Sequence, residues 1–170
     1  MRQDVFAGAA FLATLLAFAA PVAAQRNEAS DRAAIHKLLV DYGATLDARD
    51  FEGFGRLFAR DGVYAGGGPG GEAKGGPAAA DMMRKIFSAN TLGFREPNFH
   101  IFFNEVVIFD GPDKAHSTSM SLYMVPDEKN APSPALMARY HDELVREGGA
   151  WKFVRRSVES LIPAPKKPSN

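Results

Sequence analysis

The sequence contains no cysteine, so disulfides, thiolate metal ligands and cysteine nucleophiles are excluded. It has no excess of either charge, because 20 Lys and Arg balance 20 Asp and Glu, and nothing in this composition favours a nucleic-acid partner. Its four histidines do not occur at the spacing of a zinc site such as HExxH, and no GxSxG motif is present. We therefore predict no metal site, and serine hydrolysis lacks support.

The apolar run near the N-terminus is too short to cross a bilayer. It extends from Val5 to Ala20, against the ~20 residues that a spanning helix needs, and it follows Arg2. Small residues lead from it to Gln25, which is typical of a secretory signal peptide. We expect residues 1–24 to be removed after Ala24, which leaves a periplasmic or secreted protein with no stable membrane anchor. A retained anchor is the alternative.

The remaining chain has the length of one domain, over residues 25–162, and 13 phenylalanines indicate a well-filled core or an apolar cavity. Its first half shows the periodicity of helices. We predict a helix capped by Ser30 or Asp31 that runs to about Arg49, a second helix that is capped by Asp50, buries Phe58 and ends at Asp61-Gly62, and a third helix from Pro77 to Ser88.

Beyond Pro97 the periodicity changes to that of strands. A short strand, Val63 to Ala65, precedes the glycine-rich connector 66–76, and four long strands follow, over residues 98–110, 115–125, 136–146 and 151–161. Residues 163–170 are predicted to form a disordered tail. Helices followed by a meander of antiparallel strands indicate an α+β fold, with the helices on one face of a curved sheet.

Two of the long strands carry polar residues on one face. On the first of them this face mixes polar and apolar side chains, His100, Phe102, Asn104, Val106 and Ile108. Because both faces of this strand are largely apolar, we expect both to be covered. On the next strand four residues with hydroxyl groups share one face, Ser117, Ser119, Ser121 and Tyr123. These residues either line a polar patch or face solvent or a dimer partner.

His100 is the best candidate for acid–base chemistry, because an imidazole both gives and takes a proton near neutral pH. A structural histidine is the alternative. Asp47 is a candidate to act as a base or to orient His100, and a solvated residue at a helix end is its alternative. Helical geometry places Tyr42 and Asp47 about 140° apart, so one lies at the pocket edge or the helix ends early enough to turn Asp47 inward. Arg155 and Arg156 fit a solvated strand end, or one of them reaches a substrate carboxylate or phenolate.

The chain resembles the SnoaL-like branch of the nuclear transport factor two-like superfamily over essentially all of residues 30–161. The resemblance rests on the helix with Tyr42 and Asp47, on the segment RDFEGFGRLFARDGVY, on the strand with His100 and Asn104, and on YHDELVREGGAWKFVRR. It implies a cone of three helices packed against a strongly curved, mostly antiparallel sheet that encloses an apolar pocket.

Members of the superfamily include scytalone dehydratase, bile acid dehydratase, ketosteroid isomerase and polyketide cyclases. The resemblance implies cofactor-free acid–base catalysis on a small hydrophobic, often cyclic substrate, with catalytic positions at Tyr42, Asp47, Tyr64 and His100. Where family dehydratases place a polar residue on the second long strand, this chain offers Ser119, Ser121 or Tyr123. We assign substrate-binding roles to four residues, Asn104, Ser121, Tyr123 and Arg156.

We therefore expect a lyase or isomerase in which His100, oriented by Asp47, removes a proton next to a carbonyl. Tyr42 or Tyr64 would donate a hydrogen bond to the developing oxyanion. The alternative is a non-catalytic exported domain that binds an apolar ligand or a partner protein, since a fold does not fix a function. We also expect a homodimer, for which the exposed face of the curved sheet is suited.

Overall fold

The computed structural model describes residues 27–66 and 71–162. The predicted signal peptide and C-terminal tail lie outside these residues. This part of the chain contains three helices and six strands, in the order α1 Glu28–Asp47, α2 Phe51–Arg56, β1 Phe58–Gly66, β2 Glu72–Lys74, α3 Gly76–Ala89, β3 Phe99–Phe109, β4 Lys114–Pro126, β5 Pro132–Glu147 and β6 Ala150–Ser160. Within the described ranges, no helix combines the length and the apolar character that crossing a membrane would require.

The six strands form one mixed sheet in the order β2-β1-β6-β5-β4-β3. Strands β3 to β6 form an antiparallel meander, as predicted. Strand β1 pairs parallel with β6 on one side and antiparallel with the short β2 on the other. The predicted fold class, α+β with helices packed on a mostly antiparallel sheet, is confirmed.

Helix α1 begins earlier than predicted, because its cap is Asn27 rather than Ser30 or Asp31. The Asn27 side chain accepts a hydrogen bond from the Ser30 N–H at 3.1 Å. Asp31 is instead buried, where it accepts from the Trp151 indole at 3.2 Å and pairs with Arg146. The first turn of α1 is thereby fixed to the hairpin between β5 and β6.

The second helix is shorter than predicted. Asp50 caps it as expected, accepting from the Gly53 N–H at 2.7 Å, but Phe58 already belongs to β1. Asp61-Gly62 does not end a helix, because it lies within β1 where the register against β6 shifts. A Cβ at Gly62 would lie 2.5 Å from the Phe153 carbonyl oxygen, so glycine permits the bulge.

Within this single chain only one face of β3 is covered, so the chain alone does not bury both faces as expected. Helix α1 packs against the inner face, whereas four outer side chains remain 42–54% exposed: Phe99, Ile101, Val106 and Ile108. The run of apolar residues reflects an edge strand with one unpartnered face. The homodimer expected at this face stays a prediction.

A bulge in β3 also overturns the predicted face of its second half. The register against β4 shifts between Phe103 and Val106, and Asn104 has a φ of +53°. Beyond the bulge the inward position passes to Val107, which is buried. Asn104 is exposed and its side chain contacts the Met120 sulfur at 3.7 Å. His100 and Asn104 therefore do not share a site.

Gly43 allows α1 to approach β3 closely. A Cβ at this position would lie 2.6 Å from Phe102 Cε2 and 3.1 Å from His100 Cβ. We expect Gly43→Ala to destabilise the protein by about 1–3 kcal/mol, because overpacking outweighs the gain in helix propensity of about 1 kcal/mol. Urea denaturation measures the change. Gly111→Ala is the control, since nothing lies within 4 Å of its Cβ; equal stability of the two variants would contradict the close approach.

Candidate active site

A pocket of about 280 Å³ opens between the helices and the inner face of the sheet. Its floor comes from α1 and strands β1, β4 and β5, and one wall comes from α3. Residues 90–98, which we call the mouth segment, border its opening. The lining combines apolar side chains, such as Leu46, Met83 and Leu136, with the polar groups described below. The volume is near the lower end of the range of small-molecule sites.

Asp47 and His100 meet at the edge of this pocket and form the Asp47–His100 pair. The Asp47 Oδ1 atom lies 2.7 Å from the imidazole Nδ1 atom, and Oδ2 accepts the His100 backbone N–H at 2.9 Å. Helix α1 ends at Asp47, so the carboxylate leaves the last turn towards β3 while Tyr42 faces the core. Of the two arrangements predicted from the angle between Tyr42 and Asp47, the structure has the one in which the helix ends early and turns Asp47 inward.

The pairing defines the tautomer of His100. An ionised carboxylate only accepts hydrogen bonds, so Nδ1 carries the proton and donates it to Asp47. In the neutral ring the Nε2 atom then holds a lone pair, and no hydrogen bond from the described residues occupies it. The His100 side chain is 10% exposed and that of Asp47 22% exposed. The pair thus presents the unprotonated Nε2 atom in a place that is largely shielded from solvent.

A group of hydroxyls, which we call the hydroxyl cluster, lies deeper in the pocket and consists of Tyr42, Tyr64, Tyr140 and Ser121. The Tyr42 ring centre lies 5.6 Å from that of Tyr140 and 6.5 Å from that of Tyr64. Ser121 Oγ and the Tyr140 hydroxyl share a hydrogen bond of 2.9 Å. The Tyr42 and His100 ring centres are 6.3 Å apart, so donors and base border the same space.

Arg156 lies beneath the hydroxyl cluster and is completely buried. Its guanidinium carbon is 4.0 Å from the ring centres of Tyr42 and Tyr140. Its Nη1 atom donates to Asp142 Oδ2 at 2.9 Å. Burial raises the pKa of Asp142 to about 6, against the opposing effect of the Arg156 charge. Burial raises the pKa values of the phenols of Tyr42, Tyr64 and Tyr140, and the positive charge of Arg156 acts to lower them. This charge favours the phenols as hydrogen-bond donors.

The position of Arg156 corrects two sequence-based interpretations. It is not a solvated strand end, because its neighbours across the sheet are Tyr64 on β1 and Asp142 on β5. Nor does it reach the pocket surface as a substrate-binding residue, since the aromatic rings cover it. Its contacts give it the role of a buried charge behind the phenols.

All four tyrosines of the chain are buried, which leads to a test at alkaline pH. Burial raises the pKa of Tyr64 and Tyr123 to about 12 and also raises the pKa of Tyr42 and Tyr140. The folded pKa exceeds the unfolded value of about 10, so this contribution to stability is complete below pH ~10 and is lost as the pH rises through about 12.

We therefore expect the folded protein to form almost no phenolate at pH ~10, where the urea-unfolded chain is half ionised. Ultraviolet absorbance of the phenolate measures both titrations. Unfolding should set in above that pH. Coinciding titration curves for the folded and unfolded protein would show that the phenols are not buried as described.

The structure brings most of the predicted site residues together. Tyr42, Tyr64, His100, Ser121 and Tyr123 line the pocket, and Asp47 contacts it through His100. The Tyr123 ring centre lies 4.8 Å from that of the imidazole. Asn104 and Arg156, as described above, do not reach the pocket.

Sequence reasoning missed three residues that border or support the site, Tyr140, Asp142 and Arg49. Alternation along β5 carried a signal for the first two, since Tyr140, Asp142 and Leu144 are successive buried residues of one face. Arg49 gave no such signal, because its side chain reaches the pocket only by turning back over the end of α1. In the described part of the chain, no group of three or more His, Asp or Glu side chains is arranged to hold a metal ion.

The sheet with its helical cover, and the Asp47–His100 pair at the edge of the pocket, define a small pocket-forming α+β domain. Comparison with known sequences gives the family: a profile of the SnoaL-like domain matches residues 27–157. The chain belongs to this family, as the resemblance indicated. No curated protein matches its sequence.

Solved structures share the fold at low sequence identity. An NTF2-like protein with a cystatin-like fold from Novosphingobium aromaticivorans is 24% identical over 79% of this chain and 84% of that protein, with a TM-score of 0.66. A proposed scytalone dehydratase from Novosphingobium aromaticivorans DSM 12444 is 24% identical over 84% and 97%, with a TM-score of 0.66. The LinA-type3 hexachlorocyclohexane dehydrochlorinase from Novosphingobium barchaimii LL02 is 23% identical over 82% and 92%, with a TM-score of 0.67.

Proposed function

We propose that the protein is a cofactor-free lyase or isomerase that removes a proton from a small, largely apolar, cyclic or carbonyl-bearing substrate. The observation that carries this proposal is the double contact of one carboxylate with His100, through the ring Nδ1 and through the backbone N–H. This contact fixes both the orientation and the tautomer of the imidazole, which leaves Nε2 to act as a general base.

The reaction would begin when Nε2 of His100 takes a proton from the carbon next to a carbonyl. The electron pair of the C–H bond forms an enolate, whose oxygen would accept hydrogen bonds from Tyr42 or Tyr64. Collapse of the enolate forms a carbon–carbon double bond and breaks the bond to a β-hydroxyl. The imidazolium returns its proton to that hydroxyl, which leaves as water. Return of the proton to a different carbon would instead give an isomer.

The polar groups of the pocket favour an uncharged substrate. The hydroxyl cluster offers neutral donors, while Arg156 is covered by rings and paired with Asp142. Arg49 borders the pocket but already donates to Glu96 and Asn98. A substrate carboxylate would find no uncommitted cation among the residues that line this pocket. Apolar walls and hydroxyl donors suit an alicyclic or aromatic ketone.

The names of two similar structures agree with this reaction class. One is a proposed dehydratase and the other a dehydrochlorinase. Each name describes an elimination, of water in one case and of hydrogen chloride in the other. The fold is all that their sequence identity supports, so the chemistry of this chain rests on its own residues.

Incubation with a panel of monocyclic and bicyclic β-hydroxyketones in D₂O tests the proposal. Mass spectrometry should detect loss of water or incorporation of deuterium next to the carbonyl, at rates above those of the buffer. Extraction of the purified protein, followed by untargeted mass spectrometry, should identify any retained ligand and guide the panel. Retention of ligands without conversion or exchange would favour the alternative, a non-catalytic binding domain.

A further inference from the structure

Arg49 has an unusual backbone conformation at the junction between α1 and α2. Its φ is +60°, in the left-handed region, where glycine and asparagine are favoured over residues such as arginine. It lies between the α1 C-cap, Ala48, and the α2 N-cap, Asp50. Strain of this kind persists where surrounding contacts compensate for it, so the contacts of the Arg49 side chain indicate its role.

One amino group of Arg49 holds the end of α1. Its Nη1 atom donates to the Leu46 carbonyl oxygen at 2.8 Å and lies 3.4 Å from the Asp47 carbonyl oxygen. The Leu46 carbonyl also accepts the Arg49 backbone N–H at 3.1 Å. A cation near the last carbonyls of a helix is favourable for the helix dipole. The contact restrains the backbone of Asp47 at the point where its carboxylate leaves the helix.

The other amino group holds the end of the mouth segment, immediately before β3. Its Nη2 atom donates to Asn98 Oδ1 at 3.0 Å and to Glu96 Oε1 at 2.7 Å. Asn98 is buried and precedes His100 by two residues. The guanidinium also lies over the Phe87 ring, 4.3 Å from its centre, which fixes it against α3. Arg49 thus joins the end of α1, which carries Asp47, to the residues that lead into β3, which carries His100.

We propose that Arg49 is a positioning residue that fixes the Asp47–His100 pair by joining the end of α1 to the part of the mouth segment that leads into β3. The forked guanidinium spans both sides, which a single ammonium group does not. The proposal rests on the proposed function for what the pair does. The geometry of the pair is measurable without any substrate.

Two substitutions of Arg49 distinguish a positioning role of its guanidinium from an effect of its positive charge or of its strained backbone. Arg49→Gly removes the guanidinium and relieves the left-handed strain, so this variant is expected to fold. Arg49→Lys keeps the charge but not the fork. The control is Arg95→Gln on the same mouth segment, because Arg95 is exposed and its guanidinium binds the Asp127 carbonyl and Asn130 Oδ1 instead.

The test is the exchange of the His100 Nδ1 proton with water, followed by NMR in the protein without ligand. We expect about tenfold faster exchange in both Arg49 variants, equivalent to the loss of one hydrogen bond, and no change in Arg95→Gln. On any ketone that the wild type converts, kcat should fall while KM changes little. Wild-type proton exchange in Arg49→Gly would overturn the proposal, whereas a wild type that converts no ketone would overturn only the proposed function.

Discussion

Replacing His100 by glutamine will lower the rate of deuterium incorporation into the best ketone of the panel by about 10³-fold, and replacing Asp47 by asparagine will lower it by about 10²-fold. Glutamine keeps a polar group in the same space but does not take a proton. Asparagine presents one acceptor where Asp47 presents two, so it no longer holds both His100 Nδ1 and the backbone N–H. Mass spectrometry of the ketone measures the rates.

A second histidine–aspartate pair on the same sheet provides the control. His116 Nδ1 lies 2.9 Å from Asp110 Oδ2, but both side chains are about half exposed, at 48% and 49%, outside the pocket. His116→Gln and Asp110→Asn are expected to retain the wild-type rate. Equal losses in the two pairs, or near-full activity of both pocket variants, would show that proton transfer does not depend on the Asp47–His100 pair.

Removal of either partner of the buried Arg156–Asp142 pair is expected to produce the largest loss of stability. Both side chains are 0% exposed, so each substitution leaves the other ionisable group without its partner in the interior. We expect Arg156→Met and Asp142→Asn each to lower the free energy of unfolding by about 3–5 kcal/mol. Urea denaturation measures this change. Arg156→Met also removes the cation behind Tyr42 and Tyr140.

The same sheet offers an exposed pair for comparison. Arg139 and Glu159 face each other on β5 and β6 at 3.3 Å, with side chains 43% and 52% exposed. Arg139→Met is expected to cost less than about 1 kcal/mol, because exposed ion pairs are weak. A double variant, Arg156→Met with Asp142→Leu, should recover much of the stability that Arg156→Met loses. Equal effects at Arg156 and Arg139 would contradict the burial of the charge.

The fold class and the long elements could be predicted from the sequence because they depend on local patterns. Alternation identified the long strands, and Asp50 identified the start of α2 through its capping group. Phe58 was misassigned because its aromatic side chain fits either a helix or a strand. The hydrogen bond from the Phe153 N–H to the Leu57 carbonyl oxygen, which ties this segment to β6, decides for the strand. The parallel pairing of β1 with β6 has no local signal.

The site was harder to predict because it depends on register and on helix ends. A single bulge between Phe103 and Val106 removes Asn104 from the face of His100. The pairing of Arg156 with Asp142 follows from their positions opposite each other on β6 and β5, which alternation within one strand does not reveal. Asp47 reaches His100 because α1 ends there, next to the left-handed Arg49.

The most direct test of the central claim is the tautomer of His100 in the wild-type protein without ligand. A long-range proton–nitrogen NMR spectrum distinguishes the two ring nitrogens when the imidazole is neutral. The contact with Asp47 predicts that Nδ1 carries the proton and Nε2 is unprotonated, and that Asp47→Asn removes this preference. A proton on Nε2 in the wild type would contradict the account, because His100 would then have no basic nitrogen for a substrate in the pocket.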